Sequence, residues 1–147
     1  MSRNPSEPVT RAWVGLMRAR EAVLGAIERD LKAAGCLALA WYDVLLELAR
    51  APQGRLRPFE IEKATLLAQY NLSRLLDRLE REGLVACEPC DDDGRGQWAV
   101  ITDKGKAAQA RTWKIYAKSI QRHIGDRLDD NAAAALADLL GRLTPPA

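Results

Sequence analysis

The feature that most constrains this chain is the run NLSRLLDRLEREGLV, residues 71–85. Leu72, Leu75, Leu76 and Leu79 recur at spacings of three and four, which lines them along one side of a helix turning about 100° per residue. Arg74, Asp77, Arg78 and Arg81 fall on the other side. The pattern predicts a helix over roughly residues 68–82. Gly83 ends it, because glycine takes positive φ at no steric cost. Such a helix buries its leucines against neighbouring elements and turns a row of polar groups outward.

Those neighbours can be read on both sides. Upstream, RLRPFEIEKATLL gives a short extended piece and then a helix, with Pro58 in the first turn where a missing N–H costs nothing. A helix before it, from about Ala40 to Arg50, places Trp41, Val44, Leu45 and Leu48 on its apolar face and ends at APQG. Downstream, residues 84–88 and 97–102 have strand character around a middle rich in Asp and Gly, which is a hairpin with a long polar tip. A long helix from about Val9 to Ala34 opens the chain, with Trp13, Leu16, Met17, Leu24, Ile27 and Leu31 on one side and Gly35 as its stop. Thr102 or Asp103 caps a helix reaching about Arg127, with Trp113, Tyr116, Ile120 and Ile124 on one face. Asp129 or Asp130 caps a last helix, in which Leu136, Leu139, Leu140 and Leu143 repeat. The class is mainly α with a small β-hairpin. At 147 residues one compact domain is expected, and 48% hydrophobic residues can build a core, mostly aliphatic because aromatics are only 5%.

The front of the leucine-striped helix carries hydrogen-bonding groups able to read base edges. Arg suits guanine bidentately and Asn or Gln suits adenine, and a recognition helix enters the major groove by its N-terminal end. A polar helix face alone is commonly just solvated. The short helix before it and the Asp/Gly/Arg-tipped hairpin after it favour duplex DNA as the partner, with Arg95 exposed between Gly94 and Gly96.

These residues resemble the MarR family of winged-helix transcription regulators. NLSRLLDRLEREGLV is similar to that family's recognition-helix core, and DDDGRGQWAVITDKG to its wing and the start of the next helix. The resemblance covers essentially the full chain. It implies a winged helix-turn-helix flanked by N- and C-terminal dimerisation helices. Residues 1–8 would form a flexible N-terminus, 9–36 a dimerisation helix, 37–102 the DNA-binding region and 103–147 the C-terminal dimerisation helices. Asp93-Gly94-Arg95 matches the family's Asp-x-Arg wing motif. By that match Arg95 would contact DNA, and Asp93 would hold the wing in shape by pairing with a basic side chain. Gln69, Tyr70, Asn71, Ser73 and Arg74 fall where the family's groove-facing residues sit, and Arg78 on a phosphate-facing side. The family's usual Gly in the preceding turn and Ser at the helix cap are replaced by Leu66-Leu67-Ala68. Residues 55–95 hold seven basic and nine acidic side chains, so any grip on phosphates depends on where the positive ones lie.

The first and last helices have broad apolar faces and little middle sequence to cover them, which points to burial against another chain. In the family such helices interleave in a two-fold homodimer, whose symmetry fits a palindromic operator. Family members commonly bind a small ligand near these helices. Trp13, Trp41, Tyr42 and Trp113 could line such a cleft for a small aromatic effector, although a Trp at helical spacing is more often core.

Cys87-Glu88-Pro89-Cys90 could be a redox pair or half a zinc site. Only Cys36 and the single His123 remain as further soft ligands, so no metal is expected, and His123 is read as structural or solvated. No Gly-rich phosphate loop, catalytic carboxylate pair or nucleophile motif occurs, which argues against an enzyme and implies no cofactor. The first ten residues carry no apolar run behind their positive residue, and no apolar run approaches the roughly 18 residues of a membrane span. A cytoplasmic chain with reduced thiols and no membrane partner is expected. The leading reading is a ligand-responsive repressor acting as a homodimer. The alternatives are a winged helix used only for protein–protein contact and a redox-sensing regulator using Cys87 and Cys90.

Overall fold

The computed structural model describes residues 3–65, 71–89 and 96–145. Helix α1 spans Glu7–Ala33 and ends, as expected, at a left-handed Gly35 with φ 68°. Helix α2 (Leu39–Arg50) stops where Gln53 and Gly54 take φ of 61° and 66°. The turn releases the two-residue strand β1 (Arg55–Leu56) and then α3 (Pro58–Ala64), with Pro58 in its first turn. Helix α4 (Leu72–Arg81) leads into the hairpin of β2 (Val85–Pro89) and β3 (Gln97–Ile101), and α5 (Asp103–Ile120) follows. A π turn over Gln121–Gly125 and helix α6 (Asp130–Gly141), capped by Asp129 onto the Ala132 N–H at 2.8 Å, complete the order.

The hairpin is part of a slightly larger sheet than the sequence implies. Strand β1 pairs antiparallel with β3, Arg55 opposite Val100, so the order is β1-β3-β2. Ala99 and Ile101 are buried, while Trp98 and Val100 alternate onto the other, partly exposed side. A contiguous core gathers Val44, Leu45 and Leu48 of α2, Ile61 of α3, all four leucines of the α4 stripe, Leu84, Val85, Ala99, Ile101 and Ala108. The fold is mainly helical with a small antiparallel sheet, in the winged-helix arrangement.

Residue contacts divide the chain into two compact units, one more than its length suggests. Residues Leu31–Ile115 form one and hold nearly all the buried side chains. Met1–Asp30 and Tyr116–Ala147 form the other, in which Ile27 and Ser119 are the fully buried side chains among the described residues. A polar cluster centres on Asp30: Ser119 Oγ donates to Asp30 Oδ2 at 2.6 Å, and His123 Nε2 and Arg122 approach the same oxygen at 2.9 Å and 3.4 Å. His123 is therefore a specific partner of Asp30 rather than a solvated side chain. The expected α5 reached about Arg127 in one regular run. It instead widens after Ile120, and the Asp126 N–H reaches back to the Gln121 carbonyl at 2.7 Å.

Candidate nucleic-acid interface

Helix α4 starts later than its pattern indicates. Asn71 has extended backbone angles and is the N-cap, its Oδ1 accepting the Arg74 N–H at 3.1 Å. The leucine pattern could not show this, since residues 66–68 also continue an apolar run and conceal the break. The missing family Ser is thus replaced by Asn71, among the strongest capping residues. Asn71, Ser73, Arg74, Asp77, Arg78 and Arg81 are all exposed, and Leu72, Leu75, Leu76 and Leu79 are all buried. Gln69 and Tyr70 lie outside the described residues.

The far end of α4 aims the wing. Gly83, at φ 75°, donates to the Glu80 carbonyl at 3.0 Å, and Leu84 donates to the Leu79 carbonyl at 2.9 Å. This paired closure joins helix to strand with buried Leu84 folded back onto buried Leu79. Thr102 Oγ1 donates to the Gly83 carbonyl at 2.6 Å and accepts the Gly105 N–H at 3.0 Å, so the α5 cap also pins the α4 stop. Lys104 Nζ sits 2.7 Å from the Glu82 carbonyl, where the helix end is electronegative. That side chain is engaged in holding the end of α4. Gly105 is required here because a Cβ would strike the Leu84 carbonyl and the Ile101 side chain. Asp93 and Arg95 lie outside the described residues, as does Cys90.

Cys87 is half-buried on β2, where its N–H donates to Glu80 Oε2 at 3.1 Å. Burial first, and then the Glu80 carboxylate, push its thiol up to about 11. A thiol so placed stays protonated near neutrality and is a poor nucleophile toward oxidants. Among the described residues no cluster of three or more His, Cys, Asp or Glu could hold a metal ion.

Of the four expected effector residues, Tyr42 and Trp113 come together, their rings stacked at 6.5 Å with 15° between planes. Tyr42 is 2% exposed and Trp113 46% exposed, so one ring is core and the other is its lid. Burial raises the Tyr42 pKa, and Gln109 Nε2 donates to its hydroxyl at 3.4 Å. Trp41 is half-buried against the core, and Trp13 belongs to the other unit, 62% exposed. Sequence reading missed a further aromatic site: Arg55 and Arg57 both lie over the Trp98 ring, 4.3 Å and 5.1 Å from its centre. The alternation of β1 and β3 was the available signal, but it needed their register.

The MarR family model matches residues 37–96. Among solved structures, Sco3205, a MarR family transcriptional regulator from Streptomyces coelicolor in complex with DNA, is 27% identical with TM-score 0.85, covering 97% of this chain and 89% of that one. AbsC, a MarR family transcriptional regulator from the same organism, is 26% identical with TM-score 0.82, covering 97% and 95%. BpsR of Bordetella bronchiseptica shares the fold at 22% identity and TM-score 0.80 over 100% of both chains. No curated protein matches the sequence. The family model over residues 37–96 and the two Streptomyces neighbours make this chain similar to MarR family transcriptional regulators. Among the described residues no helix is long and apolar enough to cross a membrane.

Proposed function

We propose that the chain is a homodimeric repressor that reads a palindromic operator through α4 and the wing and is released by a small aromatic effector. The carrying observation is the exposed row of Ser73, Arg74, Arg78 and Arg81 on a helix whose opposite side is wholly buried. Asn71 at the cap keeps its amide N–H groups for an adenine edge, Arg74 takes guanine, and Arg78 meets phosphate. Arg95 enters the minor groove, with Asp93 bracing the tip, while Gln69 and Tyr70 extend the contact ahead of the helix. Dimerisation rests on unit Met1–Asp30 with Tyr116–Ala147, which leaves Val9, Trp13, Met17, Leu136, Leu139 and Leu143 between 40% and 71% exposed. The effector reading rests on the Tyr42–Trp113 stack, and gains support from BpsR, whose DNA binding is regulated by 6-hydroxynicotinic acid. The high pKa of Cys87 weighs against a redox switch.

The test is binding of the purified chain to duplex DNA between about 50 and 200 mM salt, the range over which phosphate contacts reveal themselves. Affinity should fall steeply with salt, and Arg95→Ala should flatten the dependence. Salt-independent binding, or none at low salt, would overturn the reading in favour of a protein-binding module.

A further inference from the structure

The acidic balance of residues 55–95 leaves open what supplies positive charge beside the wing. Arg55 stands opposite Val100 and Leu56 opposite Ala99 in the β1–β3 pairing. Since Ala99 is buried and Trp98 partly exposed, Arg55 shares the outer side of the sheet with Trp98. Arg57, two residues on, returns to that side, and both guanidinium groups stack on the one indole. Among the described residues no carboxylate lies within ion-pairing distance of either. Glu60 accepts the Arg57 backbone N–H at 2.9 Å, which fixes that residue's backbone without neutralising its guanidinium. Glu88, opposite Trp98 on β2, is the acidic residue of this side of the sheet.

We propose that Arg55 and Arg57, held over Trp98, clamp the phosphate backbone of duplex DNA next to the wing. The proposal rests on the DNA-binding reading above and adds a contact that neither α4 nor the wing tip provides. Its physical basis is preorganisation. A free Arg side chain loses rotamer freedom on meeting a phosphate, whereas a guanidinium stacked on an aromatic face has lost it already. A ring face engages the guanidinium π face and spares its in-plane N–H edge, which is the edge that meets phosphate oxygens in pairs. Two such groups at one place also put cationic charge where the local sequence is otherwise acidic. The contact carries no base information, so it strengthens all duplexes alike.

Two experiments test this on the full chain. In the first, wild-type protein is treated with phenylglyoxal with and without duplex DNA, and arginine modification is mapped by mass spectrometry. Arg55 and Arg57 should be protected by DNA together with Arg74. Protection of Arg74 alone would overturn the clamp while leaving the DNA reading intact; protection of none would overturn both. In the second, the Arg55→Gln, Arg57→Gln variant is compared with wild type across a salt series. Each phosphate contact contributes about 0.9 to the logarithmic salt slope, so the variant's slope should be shallower by about 1.8, equally on operator and random duplexes. An unchanged slope and affinity would contradict the clamp.

Discussion

Asn71 Oδ1 accepts the Arg74 N–H at 3.1 Å and so caps the start of α4. The proposed reading gives Asn71 a second task at a base edge, and substitutions separate the two. Asn71→Ala should cost about 1 kcal/mol of folding stability through loss of the cap. Asn71→Ser should restore that stability, because Ser caps as well, yet lose preference at one operator position. Arg74→Ala should leave stability within about 0.5 kcal/mol, as an exposed substitution does, and cost roughly 1–3 kcal/mol of discrimination at one base pair. Urea unfolding beside operator-mutant binding gives both readings. Loss spread evenly over all duplexes would make Arg74 a phosphate contact.

Gly105→Ala should destabilise the winged-helix unit. Alanine gains up to about 1 kcal/mol of helix propensity over glycine. Against this, its Cβ meets the Leu84 carbonyl and the Ile101 side chain, neither of which can move without disturbing β2, β3 or the α4 closure. Overpacking of this kind costs typically about 1–3 kcal/mol, and the backbone contact puts the site at the upper end. A lower urea midpoint with an unchanged slope is expected; a raised midpoint would show that α5 slides freely.

Much of this arrangement is visible in the residues themselves. The four leucines, Gly35, Gly83, Pro58 and Asp129 act through local chemistry, so spacing and turn preference place them. The capping role of Asn71 escapes the spacing, because an apolar run ahead of it hides the helix start. Partners distant in sequence are harder. Asp30 meets Ser119 and His123 across 89 and 93 residues, and Arg55 and Arg57 meet Trp98 through a strand pairing that no periodicity specifies. The division into two units also escapes the sequence, since the outer helices look apolar enough for a core and acquire almost none.

Asp30 should make the stability of the outer helices acid-sensitive. The Ser119 hydrogen bond, then that of His123, hold its carboxyl below the usual value, with Arg122 adding to the effect. A depressed folded pKa gives stabilisation that is complete above the unfolded value of about 3.9 and is lost as pH falls through the folded one. Thermal midpoints should therefore drop on the acid side in wild type. Asp30→Asn should start lower at neutral pH and show a flatter acid limb. Identical pH profiles for the two proteins would remove Asp30 from the account.

Leu139, 53% exposed on α6, distinguishes a dimer from a solitary chain. On a monomer Leu139→Arg would be a surface change worth no more than about 0.5 kcal/mol. In a dimer it buries an unpaired charge in the interface. Sedimentation should find a two-chain species for wild type and a shift toward one chain, with a lowered melting point, for the variant. Trp13→Glu should act alike. A monomeric wild type, unaffected by either change, would contradict dimerisation through these helices.

The central claim is sequence-specific reading of duplex DNA by α4, and selection from a random duplex pool by the intact protein tests it most directly. Wild type should enrich a two-fold symmetric site with half-sites about one helical turn apart. Arg74→Ala should enrich the same spacing with one position in each half-site relaxed. A pool that remains random after selection by wild type, or an identical consensus from both proteins, would contradict the account.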